Sequence, residues 1–104
     1  MLDWAVEVQI NMVIKAYVLF KVNSGTEKDV CKKVSDLDNV LDASIIYGEY
    51  DIIARVAVSE LTQLNEFLDK VRSMPSVILT STMIVAQEYK GKNKREALNM
   101  QSQK

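Results

Sequence analysis

A single α+β domain with the element order β-α-β-β-α-β is predicted by three features of this sequence. Residues 12–22 alternate, with Met12, Ile14, Ala16, Val18, Phe20 and Val22 on one parity and Lys15, Tyr17 and Lys21 on the other; this is the period of a strand with one buried face. Two stretches, from Glu27 to Leu37 and from Leu61 to Val71, repeat apolar residues every three or four positions, the period of a helix with one buried stripe. Between them, Gly48-Glu49-Tyr50-Asp51 separates two β-rich runs, and a glycine with a short acidic turn between alternating segments signals a hairpin.

Each element can be justified in order. After the first strand, Ser24-Gly25-Thr26-Glu27 supplies Ser24 or Thr26 as a helix cap, with Glu27 or Asp29 as the capping-box acid. The first helix is expected to run to about Leu37, with Val30, Val34 and Leu37 inward and Lys28, Lys32 and Lys33 outward. Asp38-Asn39 ends it. Leu41, Ala43, Ile45 and Tyr47, alternating with Asp42 and Ser44, predict the second strand. Beyond the Gly48 turn, Ile52, Ala54, Val56 and Val58 mark the buried face of the third, leaving Asp51, Ile53, Arg55 and Ala57 on its other face.

Ser59 is the expected cap of the second helix, whose stripe is Leu61, Leu64, Phe67, Leu68 and Val71 and whose end is Met74-Pro75. In the fourth strand, Val77, Leu79, Ser81, Met83 and Val85 read as the more apolar face and Ile78, Thr80, Thr82 and Ile84 as the opposite one. The order is that of a ferredoxin-like split sandwich: a four-stranded antiparallel sheet with both helices on one face. The uncovered face, read as Lys15, Tyr17, Leu19, Ser44, Ile46, Ile53, Arg55, Thr80, Thr82 and Ile84, is too apolar to stay wet, so a second copy is expected to cover it.

Residues 1–12 form an N-terminal arm or extra strand on this reading, because Trp4, Val6, Val8 and Ile10 alternate with Glu7 and Gln9; the alternative is an extension ahead of a natural start at Met12. Residues 13–89 form the domain, and residues 90–104 a basic, loose tail with a frayed helix at Glu96 to Gln101.

Composition narrows the function. The chain has 104 residues, 48% hydrophobic and 26% charged, one compact unit without room for a separate cofactor domain. It holds no histidine, the commonest metal ligand and general base, and no cofactor is expected. The single cysteine, Cys31, excludes an internal disulfide and reads as a small buried hydrophobe. No apolar run approaches the ~20 residues of a membrane span, and a cytoplasmic protein is expected. Residues 1–89 carry 8 basic and 13 acidic side chains while residues 90–104 carry 5 and 1; the folded part would repel nucleic acid, so no direct DNA binding is expected.

The order of elements, the Gly48-x-Tyr50-Asp51-Ile52 hairpin and the final strand from Val77 through Thr80 and Thr82 to Val85 resemble the effector-binding (RAM) domain of Lrp/AsnC transcription regulators, over about residues 13–90. The resemblance implies a dimeric α/β barrel that pairs sheet to sheet and assembles into larger rings, with an amino acid bound between dimers. It implies a stand-alone form, because full regulators place a helix-turn-helix module before this domain, and a role in modulating full-length Lrp/AsnC-type regulators. Carried over residue by residue, Asp51 meets the ligand ammonium, Gly48, Glu49 and Tyr50 supply walls and amide donors, and Thr80 and Thr82 supply hydroxyls. The chemistry suits a zwitterion, which needs an acceptor at one end and donors at the other.

Plainer readings stand beside these. From the residues alone Asp51 reads first as a turn carboxylate, a reading that the resemblance reverses, and Thr80 and Thr82 read also as ordinary strand residues. At ~13 Å between Cα atoms along a strand, Arg55 is too far from Asp51 for an easy pair and is expected to meet a neighbouring strand or chain. A pure assembly scaffold is the first functional alternative. A small barrel enzyme is the second, disfavoured because no nucleophile and base pair is visible. An amino-acid-binding ACT domain shares the element order, but Asn23-Ser24-Gly25 after the first strand lacks the acidic residue its ligand turn would need.

Overall fold

The computed structural model describes residues 13–92; the expected arm at residues 1–12 and the expected frayed helix in the tail lie outside the described residues. The elements are β1 (Ile14–Val22), α1 (Glu27–Ser35), β2 (Val40–Ile45), β3 (Ile52–Val58), α2 (Leu61–Arg72) and β4 (Val77–Ile84). The four strands form one sheet in the order β2-β3-β1-β4 with every neighbouring pair antiparallel, the ferredoxin-like arrangement predicted from the sequence. β1 and β3 occupy its centre, and both follow their predicted parity: Ala16, Val18, Phe20 and Val22 from β1 and Ile52, Ala54, Val56 and Val58 from β3 are buried.

The register sets Val18 opposite Ala54 and Phe20 opposite Ile52, so these side chains form one continuous floor under the helices. Val30 and Val34 of α1 and Leu64, Phe67, Leu68 and Val71 of α2 close over it. Fully burying one such aliphatic or aromatic side chain stabilises by about 1.5–3 kcal/mol. Leu61, placed at the head of the predicted stripe, is instead 54% exposed and lies outside the core cluster, whose first member from α2 is Leu64.

The helix ends differ from their predicted caps. Thr26 precedes α1 but makes no side-chain cap; its hydroxyl donates back to the Asn23 carbonyl at 2.6 Å and the Glu27 carboxylate accepts the Gly25 N–H at 2.9 Å. α1 stops at Ser35 rather than Leu37. At α2 the cap position is Glu60, one residue after the predicted Ser59. The Gln63 side-chain oxygen accepts the N–H and hydroxyl of Ser59 at 2.7 and 3.0 Å and the Glu60 N–H at 3.3 Å, so a capping-box glutamine organises this turn.

Two register shifts change which face some residues occupy. On β2, Val40 pairs with Val56 but Asp42 pairs with Arg55, leaving Leu41 as an extra residue. On β4, Val77 pairs with Val22 and Leu79 with Lys21, leaving Ile78 as the extra residue. Opposed residues of an antiparallel pair share a face, and a bulge inserts one unpaired position. Phe20 pairs with Thr80, Val18 with Thr82 and Ala16 with Ile84, so these three lie on the helix side of the sheet. Thr80, Thr82 and Ile84, expected on the open face, are moved off it by the bulge at Ile78, and Leu79, Ser81 and Met83 take the open side. No helix among the described residues is long and apolar enough to cross a membrane.

Candidate functional site

The hairpin between β2 and β3 holds Gly48, Glu49, Tyr50 and Asp51. Gly48 has φ +136, a backbone conformation that side-chain-bearing residues rarely adopt, which explains why the turn requires glycine. Tyr47, Gly48 and Glu49 are exposed while Tyr50 and Asp51 are half-buried, so the loop projects and its returning limb turns inward.

Asp51 sits where the β1–β3 ladder runs out. The last paired residues are Phe20 and Ile52, and Asp51 then joins the neighbouring strands through three contacts. Its N–H donates to the Phe20 carbonyl at 2.8 Å, its carbonyl accepts the Ile46 N–H at 2.9 Å, and its Oδ2 accepts the Val22 N–H at 2.9 Å. The carboxylate thereby replaces the backbone acceptor that a longer β3 would have offered to a buried residue. Among the described residues, no hydrogen bond is formed to its Oδ1.

Thr80 and Thr82 are half-buried on the edge strand β4. Since Thr80 pairs with Phe20 and Asp51 also bonds Phe20, the two flank one residue of β1 from opposite sides, roughly 10 Å apart at two strand spacings. Thr82 lies two residues further along, against Val18. The shallow concavity that includes Thr80 is walled by Arg72, Val77, Ile78 and Leu79 and includes no hairpin residue. The predicted set thus divides into a hairpin group and a β4 group within one protomer.

The open face carries a row in which Arg55 and Tyr17, expected there, are joined by Asp42 and Met83. Asp42, Arg55, Tyr17 and Met83 stand side by side across β2, β3, β1 and β4. The Arg55 guanidinium grips the Asp42 carboxylate through Nε at 2.9 and 3.0 Å and through a second nitrogen. This hydrogen bond, with the positive charge behind it, holds the Asp42 carboxyl below its usual range and raises Arg55 above its own. Arg55 therefore meets a neighbouring strand, one of the two alternatives foreseen. Lys15 donates to Glu88 at 2.9 Å, which holds the Glu88 carboxyl low, and Lys90 lies 3.7 Å from the other carboxylate oxygen. The pairing of Asp42 could have been read from the sequence only with the register, which the Leu41 bulge sets. Cys31 is half-buried against the core, and burial pushes its thiol up.

Fold and site define the class: a ferredoxin-like α+β domain with one open sheet face and an acidic hairpin at its rim. The chain belongs to the Lrp/AsnC ligand binding domain family, whose sequence profile matches residues 15–94. The HTH-type transcriptional regulator FL11 of Pyrococcus abyssi is 31% identical over 75 residues, covering 72% of this chain and 50% of that protein. The chain therefore spans about half the length of the curated relatives it matches. The crystal structure of hypothetical protein PHS023 from Pyrococcus horikoshii superposes with a TM-score of 0.67 at 36% identity, covering 73% of this chain and 93% of that one. The fold also matches that of the transcriptional regulator NMB0573/L-Met complex from Neisseria meningitidis, with a TM-score of 0.71 at 18% identity over 85% of this chain and 58% of that one.

Proposed function

We propose that this domain is a non-enzymatic module that binds a small molecule, with an amino acid as its ligand, and that it assembles as a homo-oligomer to modulate Lrp/AsnC-type transcription regulators. The observation that carries the reading is Asp51, a half-buried carboxylate at the mouth of a hairpin. One of its oxygens is fixed by Val22, and the other makes no bond among the described residues. A fixed anion with a spare lone-pair face is a suitable acceptor for an ammonium group, worth about 1.5–3 kcal/mol as a charge-assisted bond. Gly48 and Glu49 are exposed, and their N–H groups make no backbone hydrogen bond among the described residues, which leaves them for a carboxylate in this reading.

Assembly enters because the hairpin projects and Thr80 and Thr82 stand on another part of the surface. In this reading the ligand meets them where protomers join. The L-Met complex of a protein with the same fold supports the amino-acid class, and the relatives named as transcriptional regulators support the regulatory role. The mechanism is linkage: a ligand held between protomers favours the assembly it bridges by its differential affinity for the two states.

Thermal melting with each common amino acid tests the proposal. At 100 times its dissociation constant, a ligand stabilises by about 2.7 kcal/mol. At least one amino acid is expected to raise the melting temperature, and Asp51→Asn, which keeps an acceptor for Val22, is expected to remove the rise. A full rise in that variant takes Asp51 out of the site. The bond from Val22 also favours a second reading, in which Asp51 only finishes the sheet and the domain is an assembly scaffold. Light scattering separates the two, because a scaffold's mass does not respond to amino acids.

A further inference from the structure

The open sheet face is laid out in rows that cross the four strands. One row sets Ser44, Ile53, Leu19 and Ser81 side by side, and the next sets Asp42, Arg55, Tyr17 and Met83. In these two central rows the charged side chains are Asp42 and Arg55, and they neutralise each other within one protomer. Nε and a second nitrogen of Arg55 both engage the carboxylate, so much of its capacity to accept is used before anything else approaches. Around the pair the surface is largely apolar: Leu41 and Met83 are exposed, and Leu19 and Ile53 are half-buried. The other charges of the face stand at its margins. Lys15 holds Glu88 at 2.9 Å, with Lys90 at 3.7 Å from the second carboxylate oxygen, and Lys21 lies at the opposite end, beside Leu79. The negative charge of Glu88 also reaches Arg55.

We propose that the Asp42–Arg55 pair decides which sheets close on one another: a second copy brings its own two charges already neutralised, and a face that carries either charge alone is turned away. On the homo-oligomer reading above, on which this proposal rests, a second copy covers the open face and takes the pair from half-exposed to buried. A buried pair is tolerated while both members are present. With one removed, the other is left charged without water or partner, which is strongly unfavourable, whereas two apolar side chains in the same places are not. In the isolated protomer the pair is solvated and contributes little, so its effect falls on assembly rather than on folding. Discrimination of this kind works by repelling the wrong partner as much as by attracting the right one. The two members are not equivalent. Arg55 released from Asp42 can turn toward Glu88, while Asp42 released from Arg55 has no other cation engaged with it among the described residues.

Analytical ultracentrifugation of the full chain over a concentration series gives the dissociation constant of the dimer, and melting of dilute, monomeric samples followed by circular dichroism reports folding separately. Arg55→Leu is expected to weaken self-association by about tenfold or more, with the melting of the dilute protein little changed. Arg55→Gln, which keeps a polar side chain, carries the same expectation should the leucine variant fail to fold. Asp42→Leu is expected to weaken association less, because Glu88 is in reach of the freed guanidinium. Asp42→Leu combined with Arg55→Leu is expected to return the dissociation constant to the native value or below it, since neither charge is then left alone. A native chain that assembles, with an Arg55→Leu dimer equally tight, would overturn the proposal and leave the homo-oligomer reading standing. A double variant as weak as Arg55→Leu would overturn it too, because the loss would then lie in the contacts of Arg55 itself rather than in an unpaired Asp42. A native chain that stays monomeric throughout would overturn both.

Discussion

Removing the Asp51 carboxylate isolates the structural part of its role. In Asp51→Ala the Val22 N–H loses the acceptor held at 2.9 Å, and Val22 is only 5% exposed, so water replaces that acceptor poorly. Leaving one buried donor unsatisfied costs about 1–3 kcal/mol. For a domain of this size each kcal/mol lowers the melting temperature by about 4–8 °C. Asp51→Asn keeps a side-chain oxygen for the same bond and should cost less than about 1 kcal/mol. Calorimetry of the three proteins, with hydrogen exchange of the Val22 amide as the local reporter, checks both statements. The alanine variant is expected to lose protection at Val22 and the asparagine variant to retain it. Unchanged protection and melting in the alanine variant would refute the view that this carboxylate completes the sheet.

Other perturbations address the rest of the molecule. Gly48→Ala places a side chain at φ +136 with nothing within 4 Å of its Cβ, so the expected loss of about 1–3 kcal/mol is backbone strain alone, measurable by urea unfolding. Phe20→Ala empties a fully buried position under both helices, and a loss of about 3–5 kcal/mol should bring the chain near its unfolding limit at room temperature. A double-mutant cycle on Asp42 and Arg55 should give about 0.2–1 kcal/mol at neutral pH, since both side chains are nearly half exposed. The folded-state pKa of Asp42 is depressed, so this coupling is fully present above the unfolded carboxylate value and is lost as pH falls through the folded one.

The centre of the sheet was legible because β1 and β3 alternate in a single phase: one parity is apolar and buried, and Lys15, Lys21 and Arg55 mark the other. The edge strands were not. Val77 to Ile84 holds apolar residues in both phases, so either face could be buried. The phase was decided by Ile78, which the pairing with Lys21 and Val22 pushes out as a bulge. Leu41 does the same on β2. These bulges depend on partner strands distant in sequence, which no local pattern encodes. The hairpin and its acid were legible from Gly48 and Asp51, whereas the bond from Val22 was hidden because it depends on where the β1–β3 ladder stops. At α2, Gln63 rather than Ser59 organises the cap, a signal that was present in the sequence three residues after Glu60.

The most direct measurement is titration calorimetry of whichever amino acid most raises the melting temperature, into the native chain and into Asp51→Asn. A charge-assisted contact worth about 1.5–3 kcal/mol corresponds to a loss of roughly 10- to 150-fold in affinity, with folding preserved by the retained acceptor. Equal affinity in the two proteins would contradict the assignment of Asp51 as the partner of the ligand's ammonium group.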